Sequence, residues 1–215
     1  MQRLRVKFSR GEEVKFISHL DIMRLWQRAF IRANIPLAYS EGYNPHPRLS
    51  LAVPLALGVT SEAELMDVFL SGWSSPHAFS SAVGRQLPRG IEIKQALNIP
   101  LNLPSLQSQV RFAEYRVGLI TDRKQEEIED AIAAILVRNE LPWQHRRDTG
   151  VRRYDLRALI DEIRFIDLSE GYCNIDMKLR CDSAGSGRPE QVTAAIGFEE
   201  YPRSIHRTGL ILNST

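Results

Sequence analysis

FISHLDIMRLWQRAFIRANIPLAYSEGYNPHPRLSLAVPLALG, residues 16–58, is the stretch on which the reading of the fold turns. Ser18 and Asp21 form an S-x-x-D signature, a variant of the box that opens a helix. Met23, Trp26, Ala29, Phe30 and Ala33 then recur at helical spacing, which predicts one face turned to a core. Arg24, Arg28 and Arg32 stand four apart and predict a basic stripe along a flank of the same helix. Asn34 and Pro36 end it, because the residue before a proline is driven out of the helical region. Next, Tyr39 to Arg48 is polar and aromatic: Pro45 and Pro47 brace His46, and Gly42 permits a tight turn.

The flanks supply strands. Gln2–Phe8 alternates Leu4, Val6 and Phe8 with Arg3, Arg5 and Lys7, which predicts a half-buried strand. Further strands are expected near Pro36–Ser40 and over Leu49–Leu57, Leu65–Leu70 and Ile91–Ile99, with Pro54 marking a bulge or an edge. A short helix is expected over Pro76–Gln86, capped by Ser75. This β-α-β(β)-β-α-β order is the ferredoxin-like pattern. Ile99 to Ser105, with two prolines, reads as an extended spacer that is apolar enough to dock.

The second half repeats the grammar. A strand over Arg111–Ile120 leads to a helix over Asp122–Arg138 capped by Thr121, with Ile128, Ala131, Ile132, Ile135 and Leu136 on one face. Trp143–Tyr154 reads as two arms across a turn at Asp148-Thr149-Gly150. Strands over Ile163–Leu168 and Tyr172–Cys181 flank a hairpin turn at Ser169-Glu170-Gly171. A short helix from Pro189 to Ile196 and a strand over Ser204–Leu212 close the chain. The expected fold is therefore α+β: a tandem of two ferredoxin-like (βαββαβ) units with antiparallel sheets, 1–99 and 111–215, joined by a linker over 100–110.

The SHLD helix, YSEGYNPHPRLS and PLALGV, followed by GVRRYDLRALI and by GSGRPEQV with HRTGL, resemble the radical SAM-linked protein family. Members of that family are fused to, or encoded beside, cobalamin-binding radical SAM proteins. The resemblance runs over most of the chain and implies a radical SAM protein as partner. Cys173 and Cys181 are the only cysteines, whereas a radical SAM enzyme needs three closely spaced ones for its cluster. The chain is thus expected to serve such chemistry as a partner or a detached domain, with no cofactor of its own.

Composition narrows the rest. A hydrophobic content of 43% suffices for a core, and a net charge of +2 over 215 residues does not demand a nucleic-acid partner. The distribution says more: residues 1–48 carry nine Lys and Arg against four Asp and Glu. Two buried free thiols fit a reducing compartment, and no apolar run approaches the roughly 20 residues that span a bilayer. A cytoplasmic protein is expected. His46, His145 and the scattered carboxylates show no metal-ligand spacing, and no serine or cysteine sits in a nucleophile motif.

Three functions follow. The favoured one is a non-catalytic RNA-binding or substrate-presenting module working with a radical SAM enzyme in RNA or ribosome modification. Its surface would comprise Arg24, Arg28, Arg32, Tyr39, Tyr43, Asn44, His46 and Arg48, because rings stack on unpaired bases and guanidiniums pair with phosphates. Arg152 and Arg153, in the basic His145–Arg157 stretch, would add a ribbon on the backbone. Arg3, Arg5 and Lys7 would extend the stripe. Each group also has a plainer reading: a solvated helix face, a locked turn, or a hairpin neutralised by Asp148 and Asp155. The second function is a metal-independent endoribonuclease using His19, whose imidazole the helix start keeps neutral, with Tyr39 or His46 assisting. The third is a protein–protein adaptor with no nucleic-acid contact. Gly185-Ser186-Gly187-Arg188-Pro189 is either a plain turn or a set of backbone N–H groups for a phosphate.

Overall fold

A computed structural model describes residues 1–147 and 150–213. The turn expected at Asp148-Thr149 lies outside them. The chain forms two compact units, Met1–Val110 with Asn213, and Arg111–Leu212.

In the first unit, β1 (Gln2–Arg10) leads to α1 (His19–Arg32), β2 (Leu49–Leu51), β3 (Thr60–Leu70), α2 (Pro76–Gly84), β4 (Ile91–Ile99) and α3 (Leu106–Gln109). The strands lie in the order β4-β1-β3-β2, each antiparallel to its neighbour. Leu4, Val6 and Phe8 point to the helices and are fully buried, as their alternation predicts. Phe8, Trp26, Phe30 and Phe79 then pack ring to ring at 4.9, 5.5 and 5.7 Å, tying β1, α1 and α2 into one core. Ile22, rather than Met23, fills the first turn's inward position, and Met23 and Ala33 sit only at the core's margin.

Two strand expectations fail here. Pro36–Ser40 makes only isolated bridges, Leu37 to Leu70 and Tyr39 to Pro47. The strand expected over Leu49–Leu57 stops at Leu51; after the Ala52 amide donates to the Leu65 carbonyl (2.9 Å), the chain turns away through Pro54, which has no N–H to offer a ladder. In compensation β3 begins five residues earlier than its apolar run suggests.

The reverse face of β1 is also not as expected. Arg3 and Arg5 converge on Asp67 of β3, which is fully buried: Arg3 Nη2 to Oδ2 is 2.6 Å and Arg5 Nε to Oδ1 is 2.8 Å. Arg3 also donates to the Leu103 and Pro104 carbonyls at 2.7 and 2.8 Å, and Arg5 to Gln109 at 3.1 Å. The segment expected as an extended spacer is therefore clamped to the first unit. Its end coils into α3, capped by Ser105, whose hydroxyl accepts from the Ser108 amide.

The second unit begins with β5 (Val110–Ile120) and α4 (Gln125–Leu136). A hairpin of β6 (Pro142–Arg147) and β7 (Gly150–Asp155) follows, then β8 (Ile160–Ser169), β9 (Tyr172–Asp182), β10 (Gly185–Ser186), α5 (Pro189–Ala195) and β11 (Ser204–Leu212). Its sheet runs β8-β9-β5-β11, with β10 extending β9's edge. Setting the hairpin and β10 aside, both units place second, third, first and fourth strands side by side in that order. Glu170 and Gly171, at φ +51° and +76°, make the two-residue turn expected between β8 and β9. α4 starts later than Thr121 suggests. The Thr121 hydroxyl instead holds the Arg123 amide in a turn (3.1 Å), and Lys124 takes the cap position with its amide donating to Glu127 (3.4 Å). Ile128, Ile132 and Ile135 are buried as predicted, and Cys173 and Cys181 are buried free thiols. Among the described residues no helix is long and apolar enough to cross a membrane.

Candidate functional site

α1 begins as its sequence dictates. The Ser18 hydroxyl accepts from the Asp21 amide (3.2 Å) and donates to the Asp21 carboxylate (2.7 Å), closing the expected box. That hydroxyl, with the Arg24 guanidinium 3.1 Å away, holds the Asp21 carboxyl below its ordinary range. With the start fixed, Arg24, Arg28 and Arg32 fall on one exposed flank. They line a groove of about 480 Å³ whose other wall is Gln86, Leu87 and Pro88, with Ile17 and Leu25 along its floor. Arg32 is tied to that wall by a 2.8 Å bond to the Gln86 carbonyl, whereas Arg28 stands between its neighbours with its head in solvent.

The proline-braced segment is a second, separate feature of the same unit. Ala38 and Arg48 exchange backbone bonds with Phe69 and with each other, at 2.8–3.1 Å, which anchors the segment on β3. Beyond the anchor the Ser40 amide donates to the His46 carbonyl (2.8 Å), and the Ser40 hydroxyl accepts the His46 amide (3.0 Å). The tip carries Gly42 at φ +121° and projects Tyr43 wholly into solvent, with Tyr39, Asn44 and His46 also exposed. Arg48 lies over the Phe69 ring at 4.6 Å, held yet accessible.

The predicted residues thus form two clusters, and none of residues 39–48 lines the α1 groove. Arg3 and Arg5 belong to neither, since both are engaged by the buried Asp67. The endoribonuclease constellation does not assemble. His19 heads α1 beside Ile17, whose carbonyl accepts from Arg10 at the end of β1. Tyr39 and His46 hang from Phe69 and Leu70, which pair with Arg3 and Gln2 at the beginning of β1. Seven residues of extended strand, about 23 Å, separate those levels.

In the second unit the two expected arms pair as a hairpin, and Asp148, one of its two expected neutralising carboxylates, lies outside the described residues. Gln144 pairs with Arg153 and His145 with Arg152 across β6 and β7. Arg152 faces a pocket of about 310 Å³, together with His145, Tyr154, Arg180, Ser186 and Arg188, whereas Arg153 is exposed outside its lining. Arg180 went unnoticed in the sequence because it looks like any outward residue of an alternating strand; the nearby Gly185 and Gly187 were the available signal. A Cβ on Gly185 would fall 2.6 Å from the Leu159 side chain, and one on Gly187 3.0 Å from the Leu159 carbonyl, so both glycines serve close approach. The amides of Ala184 and Gly185 donate to Asp182 (2.8 and 3.3 Å) and that of Gly187 to the Arg180 carbonyl (2.8 Å). Three amides of this loop are thus taken up within the turn itself.

Exposed apolar side chains were the other omission. Phe16 lies against Gly58 beside Leu57, and Leu20 follows on α1's first turn; all three are more than half exposed. Among the described residues no group of three or more His, Cys, Asp or Glu is arranged to hold a metal.

The fold is similar to that of a chain in the Cbf5–Nop10–Gar1 complex, at 8% identity and a TM-score of 0.52 over 96% of this chain. This chain spans about half that one, 48% of its length. It is also similar to a chain of an H/ACA RNP bound to a substrate RNA containing 2′-deoxyuridine, at 10% identity and a TM-score of 0.49 over 95% of this chain and 46% of that one. The small subunit of acetolactate synthase from Thermotoga maritima follows at 12% identity and 0.29, covering 100% and 99%. No curated protein matches the sequence. Residues 3–189 match the DUF2344 family, described as an uncharacterized protein conserved in bacteria, and the chain belongs to that family.

Proposed function

We propose that the protein is a non-catalytic RNA-binding module that presents its RNA to a radical SAM enzyme. One observation carries the RNA half. In each unit the connection leaving the first helix carries cationic and aromatic side chains within reach of solvent: exposed Tyr39, Tyr43, His46 and Arg48 in one, exposed Arg152 and Arg153 with half-buried His145 and Tyr154 in the other. Rings on a rigid turn stack on unpaired bases, and neighbouring guanidiniums neutralise phosphates, which suits single-stranded or looped RNA. The α1 row adds three cations along a groove. The shared strand order supports a ferredoxin-like reading of both units, a fold that leaves function to the site. The partner half rests on the resemblance to radical SAM-linked proteins.

Three guanidiniums on one flank give the reading a number. Each phosphate neutralised on a single strand contributes about −0.7 to the slope of log K against log salt, so the row alone sets a slope of about −2. Filter retention of single-stranded RNA across a salt series should show at least that slope. In Arg24→Glu/Arg28→Glu the slope should fall by about 1.4 units and retention at low salt should drop. No retention at low salt, or a slope indifferent to the double substitution, refutes the reading.

The Phe16, Leu20 and Leu57 surface favours a second reading, an adaptor that docks on its enzyme through apolar contact. That complex would resist salt and be lost in Phe16→Ser/Leu20→Ser, with no RNA retained by either form.

A further inference from the structure

The pocket of the second unit has a chemistry that RNA-backbone contact alone does not explain. Its lining is rich in donors: the Arg152, Arg180 and Arg188 guanidiniums, the His145 ring, the Ser186 hydroxyl and the Gln191 amide. Among the described residues the one carboxylate in the lining is Asp155, and its Oδ1 already accepts the Leu141 and Arg157 amides at 2.7 and 2.9 Å. Two further carboxylates stand behind the arginines: Asp182 holds Arg180 Nε at 2.9 Å, and Glu190 lies 3.8 Å from Arg188. These aim their guanidiniums while leaving the remaining N–H groups for a ligand. Arg152 lies 5.8 Å from the centre of the Tyr154 ring, whose hydroxyl donates to Gln191. Burial, with help from Glu190, pushes the Tyr154 phenol up, while Arg188 and Arg152 pull against it.

The opposite wall is apolar, made by Ala158, Leu159 and Ala184. The volume, about 310 Å³, falls at the small end of the roughly 300–1,000 Å³ typical of ligand pockets. Such a space takes one nucleotide-sized group and not a continuous strand. Three convergent guanidiniums match a dianionic phosphomonoester better than a monoanionic diester. The amides of Ala184, Gly185 and Gly187 are already engaged within the loop, so the site rests on its side chains.

We infer that this pocket binds a nucleotide bearing a terminal phosphate, with the phosphate among Arg152, Arg180 and Arg188 and the flat base along Tyr154 and Leu159. The ligand class rests on the RNA reading, but the geometry owes nothing to the α1 row. The same chemistry arises from a free nucleoside monophosphate or from the phosphorylated end of an RNA.

Calorimetry separates the two with the four nucleoside 5′-monophosphates, inorganic phosphate, and a short single-stranded RNA carrying a 5′-phosphate, a 3′-phosphate or neither. One phosphorylated end should bind about 10- to 100-fold more tightly than the unphosphorylated strand, the worth of one or two charge-assisted hydrogen bonds. Arg152→Gln/Arg188→Gln, at exposed positions, should abolish that ratio, and Arg28→Glu should leave it intact. Mononucleotides that bind or compete as well as the phosphorylated RNA assign the site to free nucleotides. Indifference to end phosphorylation together with no mononucleotide binding overturns the site, while RNA retention by the α1 row survives. Mononucleotide binding without any RNA retention keeps the site and removes the RNA reading. Binding of inorganic phosphate as tight as that of the nucleotides overturns the nucleotide assignment.

Discussion

Replacing Asp67 by Asn tests why the arginines of β1 are absent from the proposed surface. Asn keeps the volume and removes the charge. In the native unit the Asp67 carboxylate is fully buried and accepts from both Arg3 (2.6 and 3.0 Å) and Arg5 (2.8 and 3.0 Å), and Arg3 itself is 3% exposed. With the charge gone, two guanidiniums face one neutral amide, with Arg3 buried and Arg5 13% exposed. Uncompensated buried charge of this kind costs about 3–5 kcal/mol. For a chain of this length that corresponds to a fall in melting temperature of about 6–20 °C. Because Arg3 also holds Leu103 and Pro104, hydrogen exchange over 100–109 should rise in the same variant. Urea unfolding reports it through the buried Trp26, once the exposed Trp73 and the half-buried Trp143 are replaced by Phe. Asp176→Asn is the control: its pair with Arg116 (2.8 Å) is solvated, and its loss should cost under about 1 kcal/mol. A cost for Asp67→Asn no larger than the control's would mean that the cluster is hydrated and that Arg3 and Arg5 remain available to a polyanion.

The cysteines should be inert in the native state. Burial, with help from Asp167, pushes the Cys173 thiol up to about 11, so at pH 8 only about one in a thousand is ionised. Iodoacetamide should label Cys173 in urea and not in buffer, with labelling rising toward pH 11; rapid native labelling at pH 8 would overturn its burial. Asp21 offers a pH test. Its folded pKa lies below 3.8 because of Ser18 and Arg24, so its contribution to the helix start is fully present above about pH 4 and lost as pH falls through the folded value. A carboxyl titration by NMR should give a midpoint under 3.8 that rises in Ser18→Ala; an unchanged midpoint would remove the hydroxyl as the cause. Leu106 of α3 is wholly buried, and Leu106→Ala should cost about 2–5 kcal/mol in urea unfolding.

Short-range chemistry was legible in the residues and long-range pairing was not. Ser18 with Asp21, Ser75 before Pro76, and Glu170-Gly171 each act within four residues, and each stands where its chemistry puts it. The alternation of Leu4, Val6 and Phe8 fixes which side of β1 faces the helices, but says nothing about the other side. Arg3 looked like a solvent-facing cation because its neutralising partner, Asp67, lies 64 residues away. The same blindness hid Arg180. Leu49–Leu57 is apolar enough for a strand, yet only Leu49–Leu51 finds a partner edge on β3 before Pro54 interrupts the ladder. Two clusters on the first unit were read as one surface because helix α1 and the NPHP turn adjoin in sequence, while the turn is anchored on β3 and none of its residues lines the α1 groove.

The equivalence of the two units sharpens where function should be sought. A second strand needs only a short return from the preceding helix, and typical connections of this sort run about 2–6 residues. Here the return from α1 to β2 takes residues 33–48 and that from α4 to β8 takes residues 137–159. Chain of that length at a surface costs ordering entropy that the fold itself does not require. In both places the excess is made rigid, by Pro45, Pro47 and the Ser40–His46 bonds in one unit and by the β6–β7 ladder in the other. Rigid, exposed and rich in rings and guanidiniums, these segments are built as recognition elements are: preordered before a partner arrives, so that binding does not have to order them. Exchanging residues 40–46 for a Gly/Ser loop of equal length should leave the unit's unfolding midpoint nearly unchanged while lowering RNA retention. A large loss of stability instead would mean that the turn is structural and that the first unit's recognition rests on the α1 groove alone.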